Sequence, residues 1–113
     1  MSDLAIGIVV TCRGHDKERA VQTAVDRFEE LVAKRQGPFA IYADLREMSG
    51  YESESRRAWQ TAFARHRLRI DGLVLVGAKS PIIRMGAAAV GAFAGIPVRF
   101  VASWAELPEA PTM

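Results

Sequence analysis

Residues 72–102, GLVLVGAKSPIIRMGAAAVGAFAGIPVRFVA, decide the fold. Leu73-Val74-Leu75-Val76 is a short apolar run without alternation, as expected of a parallel strand covered on both faces. Ser80-Pro81 then supplies an N-cap hydroxyl and a proline at the first helical position. Gly95 closes that helix, and Pro97 leads into a second apolar run, Val98–Val101. Strand, helix, strand in this order is one β-α-β crossover. It specifies a fold class and no activity.

The same grammar extends towards the N-terminus. Leu4–Thr11 reads as a strand, and Gly7 within it predicts close approach of a neighbour or a bulge. Arg13–Asp16 reads as a turn, with Asp16 as N-cap of the next helix. That helix carries Val21, Ala24, Val25, Phe28, Leu31 and Val32 at spacings of three and four, and Gly37-Pro38 ends it. Phe39–Ala43 is the next strand and Leu45–Tyr51 a loop. A helix from about Ser55 to His66 turns Ala58, Trp59, Ala62 and Phe63 towards the core, with serines at its start to cap it. Ser103–Leu107 reads as a short capped turn, and Pro108 and Pro111 end the ordered part, about residues 4–107. The expectation is a single α/β domain over 1–113, with a mostly parallel four-stranded sheet and three main helices. Ligands of such sheets meet the loops beyond the carboxyl ends of the strands, here Thr11–Asp16, Asp44–Tyr51, Gly77–Ser80 and Ala102–Trp104.

Composition narrows the function classes. Half of the 113 residues are hydrophobic and a quarter charged, which is ordinary for a globular chain of this length. The net charge of +2 is too small to point to nucleic acid. Arg56, Arg57, Arg65, Arg67 and Arg69 cluster, which reads first as a solvated helix face and second as a patch for an acidic partner. With one cysteine, Cys12, no intrachain disulfide forms, and a cytoplasmic setting is expected. No basic stretch followed by an apolar core marks a secretory signal, and no apolar run is long enough to span a bilayer.

The usual catalytic signatures are missing. Neither a G-x-G-x-x-G turn nor a P-loop occurs, and no His/Cys/carboxylate spacing suggests a metal or other cofactor. Lys79 and Ser80 lie where a helix N-terminus can hold an anion, although capping suffices to explain Ser80. Cys12 reads either as a thiol activated by Arg13 and His15 or as a small buried hydrophobe. His66 suits the carbonyl end of a helix dipole. Asp44 reads either as a functional carboxylate or as an acceptor anchoring backbone N–H groups. Enzymatic use of these groups requires Cys12, His15 and Asp44 to converge in one cleft. The third helix, built from Gly86, Ala87, Ala88, Ala89, Gly91, Ala92 and Ala94, allows close packing, a homodimer contact through residues 80–94, or room for an apolar ligand.

AIYADLREMSGYESESRRAWQ (residues 40–60) and LVLVGAKSPIIRMGAAAVGAFAGIPVRFVASWAEL (73–107) resemble the bacterial STAS-like, anti-sigma-factor-antagonist-like (SpoIIAA-like) family. The signals are D-L-R after a strand, G-Y before a helix, V-G-x-x-x-P, and I-P-V-R-F-V before a short terminal helix. The typical extra N-terminal strand is missing or reduced to Met1–Asp3. The resemblance implies a non-enzymatic regulatory module with a protein partner such as a kinase or anti-sigma-like regulator. It also implies a serine phosphorylated by a partner kinase, for which Ser53 is the nearest match. Here Glu52 stands for the usual aspartate, and Ser55 for a glycine. The expected contact surface is Asp44, Arg46, Ser49, Tyr51, Arg56 and Arg57. The alternative is a small-ligand or lipid carrier, because some STAS-like proteins resemble the CRAL-TRIO carriers. A large apolar pocket beneath the third helix would favour the carrier, and a filled core would favour the interaction module.

Overall fold

The run at residues 73–76 lies inside one sheet, and the run at 98–101 forms its edge. In the computed structural model, which describes residues 2–4, 7–16 and 18–107 (the side chains of 2–4, 15, 16, 18 and 19 excepted), four parallel strands lie side by side in chain order. They are β2 (Gly7–Asp16), β3 (Phe39–Tyr51), β4 (Ile70–Val76) and β5 (Val98–Val101). The reduced N-terminal strand is present as β1 (Ser2–Leu4), antiparallel on the outer edge of β2. The helices are α1 (Glu18–Lys34), α2 (Ser53–Arg65) and α3 (Pro81–Ala94), followed by a 3₁₀ turn at Trp104–Glu106.

Side chains alternate across the sheet, and both faces are buried. Ile8, Val10, Ile41, Ala43, Leu73 and Leu75 share the main core with residues from all three helices. Val9, Tyr42, Val74 and Val76 face the other way, under Trp104 and Leu107. The uninterrupted apolar runs reflect this double covering. Gly7 lies close against β3: a Cβ there would stand 2.1 Å from the Ala40 carbonyl oxygen.

The stripe read on α1 is buried as expected, and Phe28 is its hub. Its ring meets Phe63 at 5.3 Å, Trp59 at 6.0 Å and Phe39 at 6.5 Å between centroids, all edge-on. The carbonyls that α1 leaves unpaired at its carboxyl end attract a cation. Arg69 takes that place, donating to the carbonyl oxygens of Arg35 at 2.7 Å and Val32 at 3.3 Å. Arg65 reaches Glu29 at 2.5 Å. Two members of the arginine cluster therefore fasten the helix layer together.

Two segments expected as irregular are strands. Arg13–Asp16 is the end of β2, and Leu45–Tyr51 continues β3, with Arg13 opposite Glu47 and Asp16 opposite Tyr51. β4 stops at Val76 opposite Asp44, so beyond that point β2 and β3 form a two-stranded ribbon. Its Arg, Glu, Ser and Gly residues read as loop because no third strand buries them. Register shifts at Thr11/Arg13 and Gly14/His15 interrupt the ladder. The Asp16 backbone is the end of β2, and its N-cap role lies outside the described side chains. α2 begins at Ser53, with Glu52 rather than a serine at the N-cap. α3 runs from Pro81 to a left-handed Gly95 (φ 72°), although the Ser80 hydroxyl makes no capping bond.

Candidate functional site

The ribbon shapes what lies beneath it. At the carboxyl ends of the strands, a cavity of about 70 Å³ separates the sheet from α2 and α3. Val10, Ala43, Leu73 and Leu75 form its floor, Trp59 and Phe63 one wall, and Ile83, Gly86, Ala87 and Val90 the other. Cys12, Leu45, Met48, Tyr51 and Arg56 complete the lining. The small residues of α3 explain the space. Leucine-sized side chains at Gly86 and Ala87 would occupy it.

Gly86 also sets the rim. A Cβ there would lie 2.3 Å from the Tyr51 hydroxyl oxygen, so a side chain at this position would push the Tyr51 ring off α3. The Tyr51 hydroxyl points to the Ile82 carbonyl at 3.4 Å, a long contact. Arg56, on the first turns of α2, is the charged member of the lining. Its Nε is shut off from solvent and has no hydrogen-bond partner among the described residues. A buried donor in that state is uncommon, because leaving it unmet costs about 1–3 kcal/mol.

The expected contact surface does not form one surface. Asp44 is 5% exposed and faces away from the cavity, towards Trp104. Its carboxylate accepts two bonds from the Arg46 guanidinium (2.9 and 2.7 Å), one from the Arg46 N–H (3.2 Å) and one from Trp104 Nε1 (3.2 Å). Burial works against its charge, but the bonds from Arg46 and Trp104 outweigh it and hold the Asp44 pKa below the ordinary carboxylate value. Asp44 is thus the anchoring acceptor of the two readings, pinning the last turn to the sheet. It is too enclosed to meet a partner directly. Arg46 and Ser49 are exposed on the ribbon, Tyr51 and Arg56 belong to the cavity, and Arg57 lines a polar groove between α1 and α2.

Cys12 lines the cavity while Asp44 lies on the opposite face, so these two do not share a cleft. The His15 side chain lies outside the described residues. His66 caps the carboxyl end of α2, with Nε2 2.7 Å from Glu29. Ser53 is exposed at the first position of α2, between Glu52 and Glu54. Lys79 is exposed and Ser80 half-buried at the start of α3. Among the described residues no three His, Cys, Asp or Glu side chains group as a metal site, and no helix is long and apolar enough to cross a membrane. Met48 is expected in a loop and Trp59 in the core, and neither as part of a site. The signal for them was the run of small residues in α3.

Helices on one face of a sequentially ordered parallel sheet, with an apolar pocket at its carboxyl edge, define a small α/β domain. The family model described as SpoIIAA-like matches residues 8–110, and the chain belongs to that family. Among solved structures it is similar to an uncharacterized protein of the DUF3478 family with a SpoIIAA-like fold from Shewanella loihica PV-4. The TM-score is 0.68 at 11% identity, over 87% of this chain and 78% of that one. At this identity the likeness is one of fold. None of the curated proteins compared with the chain matches it significantly.

Proposed function

We propose that this domain is a binding module, without a reaction of its own, that holds a small apolar ligand between the sheet and α2/α3. The observation that carries the reading is the cavity of about 70 Å³ with an almost wholly apolar lining. Interiors are otherwise packed as densely as organic crystals, so an apolar pocket between sheet and helices is a departure from ordinary packing. A cavity of 150 Å³ accommodates benzene, so on that scale this one, open to solvent on one side, has room for about three carbons. The separation of Cys12 from Asp44 supports binding over catalysis. The test is titration with 1-butanol, followed through the methyl resonances of Val10, Leu75 and Ile83. Saturable, concerted shifts in these three support the reading. Methyls that stay put while surface signals move would sink it.

A second reading, a regulatory protein-interaction module, has its own observation. Ile82, Met85 and Phe93 of α3 are 69%, 73% and 64% exposed and fall along one outward stripe. A second copy of this chain is the partner proposed for that stripe. Phosphorylation of the exposed Ser53 would be the switch, recognised by a mass increase of about 80 Da on the denatured chain. Native mass spectrometry of protein from its own host separates the readings: dimer mass with bare chains favours this one, and a monomer with a dissociable adduct favours the ligand.

A further inference from the structure

We propose that the turn at residues 66–69 docks the domain on a bilayer surface carrying anionic phospholipid. Leu68 in this turn is 94% exposed, so its side chain stands clear of the domain. The backbone that carries it is nevertheless fixed. Arg69 N–H donates to the His66 carbonyl at 2.9 Å, Ile70 N–H to the Arg67 carbonyl at 3.3 Å, and Phe39 N–H to the Arg69 carbonyl at 2.9 Å. The end of α1 lies against the turn, because Arg69 reaches the carbonyl oxygens of Val32 and Arg35. Arg35 and Arg69 also share the Phe39 ring, with their guanidinium carbons 5.8 and 5.5 Å from its centroid. Lys34 and Arg67, next to them in the chain, are exposed. Residues 34–38 and 66–71 thus hold Lys34, Arg35, Arg67 and Arg69 against a single carboxylate, Asp71. Such a cluster attracts an anionic partner, and Leu68 selects its kind. Recognition of an acidic peptide takes in its side chains through a groove or a sheet edge, and a leucine projecting from a turn offers neither. At a bilayer surface, anionic headgroups lie outside and apolar chains beneath them. Cations at the headgroups and a leucine pushed past them then both find partners. One apolar side chain and a few cations give reversible attachment. The turn lies at the amino ends of β3 and β4, and the cavity at the carboxyl ends, so this inference stands apart from the ligand reading.

The experiment is sedimentation with vesicles of equal parts phosphatidylcholine and phosphatidylglycerol, against vesicles of phosphatidylcholine alone. The wild-type chain should partition onto the anionic vesicles only, and should leave them at about 1 M salt, where the Debye length falls to about 3 Å. Arg67→Gln should weaken partition about fivefold, the equivalent of about 1 kcal/mol for one cation at the surface. Leu68→Ser should weaken it about tenfold with the charge unchanged. Lys79→Gln, at the carboxyl edge of the sheet, should leave it as it is. These positions are exposed, so Tm should stay that of the wild type in all of the variants. Partition that survives Leu68→Ser, or falls equally in Lys79→Gln, is unspecific adsorption of a basic chain and overturns the proposal. Absence of partition onto the anionic vesicles overturns it as well. An oligoglutamate peptide that shifts the Arg67 and Leu68 amide resonances, where vesicles do not, reveals an acidic protein partner in place of the bilayer. A dimer that Leu68→Ser dissociates reveals a second copy, and either result overturns the proposal.

Discussion

Ala87→Leu fills the cavity with part of the chain itself. Ala87 lies on the α3 wall, and the replacement adds three carbons, about what the space encloses. At about 24 cal/mol per Å³, filling a space of about 70 Å³ is worth at most about 1.7 kcal/mol, since the space is open to solvent on one side. Ordering the leucine side chain returns about 0.5–1 kcal/mol of that gain. The net expectation is stabilisation of up to about 1 kcal/mol, or a rise in Tm of up to about 4 °C for a domain of this size. Urea unfolding followed by tryptophan fluorescence measures it, with an unchanged m-value guarding against a shift in the denatured state. The same variant should no longer respond to 1-butanol at the Val10 and Leu75 methyls. Destabilisation of 1 kcal/mol or more would refute the reasoning, since it would mean that the walls cannot accept three carbons. Stabilisation with undiminished butanol binding would show that the leucine and the ligand use different places.

Asp44→Asn tests the pin beneath the last turn. The folded pKa of Asp44 is depressed, so its ionised form contributes fully above the unfolded value of about 3.9 and is lost as pH falls through the folded value. The variant should be less stable by about 1–2 kcal/mol at pH 7, a figure discounted because Arg46 is half-exposed, and the gap should close below about pH 4. A gap that persists unchanged at pH 2 would contradict the ion-pair account. Gly7→Ala drives a Cβ to 2.1 Å from backbone oxygen and should cost about 3 kcal/mol or more. Gly72→Ala meets only the Pro97 oxygen at an ordinary 3.5 Å and should cost less than about 1 kcal/mol. Similar losses at both positions would disprove the β2–β3 spacing. Met85→Lys places a charge in the exposed stripe of α3, and light scattering should show any dimer reverting to monomer with Tm nearly unchanged. A dimer that survives the change is built on another surface.

The parts legible in the sequence are those whose burial is complete. Leu73–Val76 and the α1 stripe declare themselves because each apolar position has one environment, and Pro81 and Gly95 mark helix ends through backbone geometry alone. The ribbon was not legible for the converse reason. Arg13–Asp16 and Leu45–Tyr51 pair only with each other, so hydrogen bonding holds them as strands while solvent sets their composition. That misreading also scattered the expected contact surface. With Leu45–Tyr51 as a loop, Asp44, Arg46, Tyr51 and Arg56 can be imagined on one edge. As a strand, successive side chains alternate, sending Asp44 and Arg46 towards Trp104 and Leu45 towards the cavity. Arg56 was read as part of a charge cluster because neighbours in sequence share a sign. Arg65 and Arg69 are satisfied by Glu29 and the end of α1, and Arg57 and Arg67 are exposed, which leaves Arg56 distinguished by a buried Nε without a partner among the described residues. The small residues of α3 were visible from the start. Their meaning depended on whether the ribbon and α2 close over them, and it is that closure that turns a thin helix into the wall of a cavity.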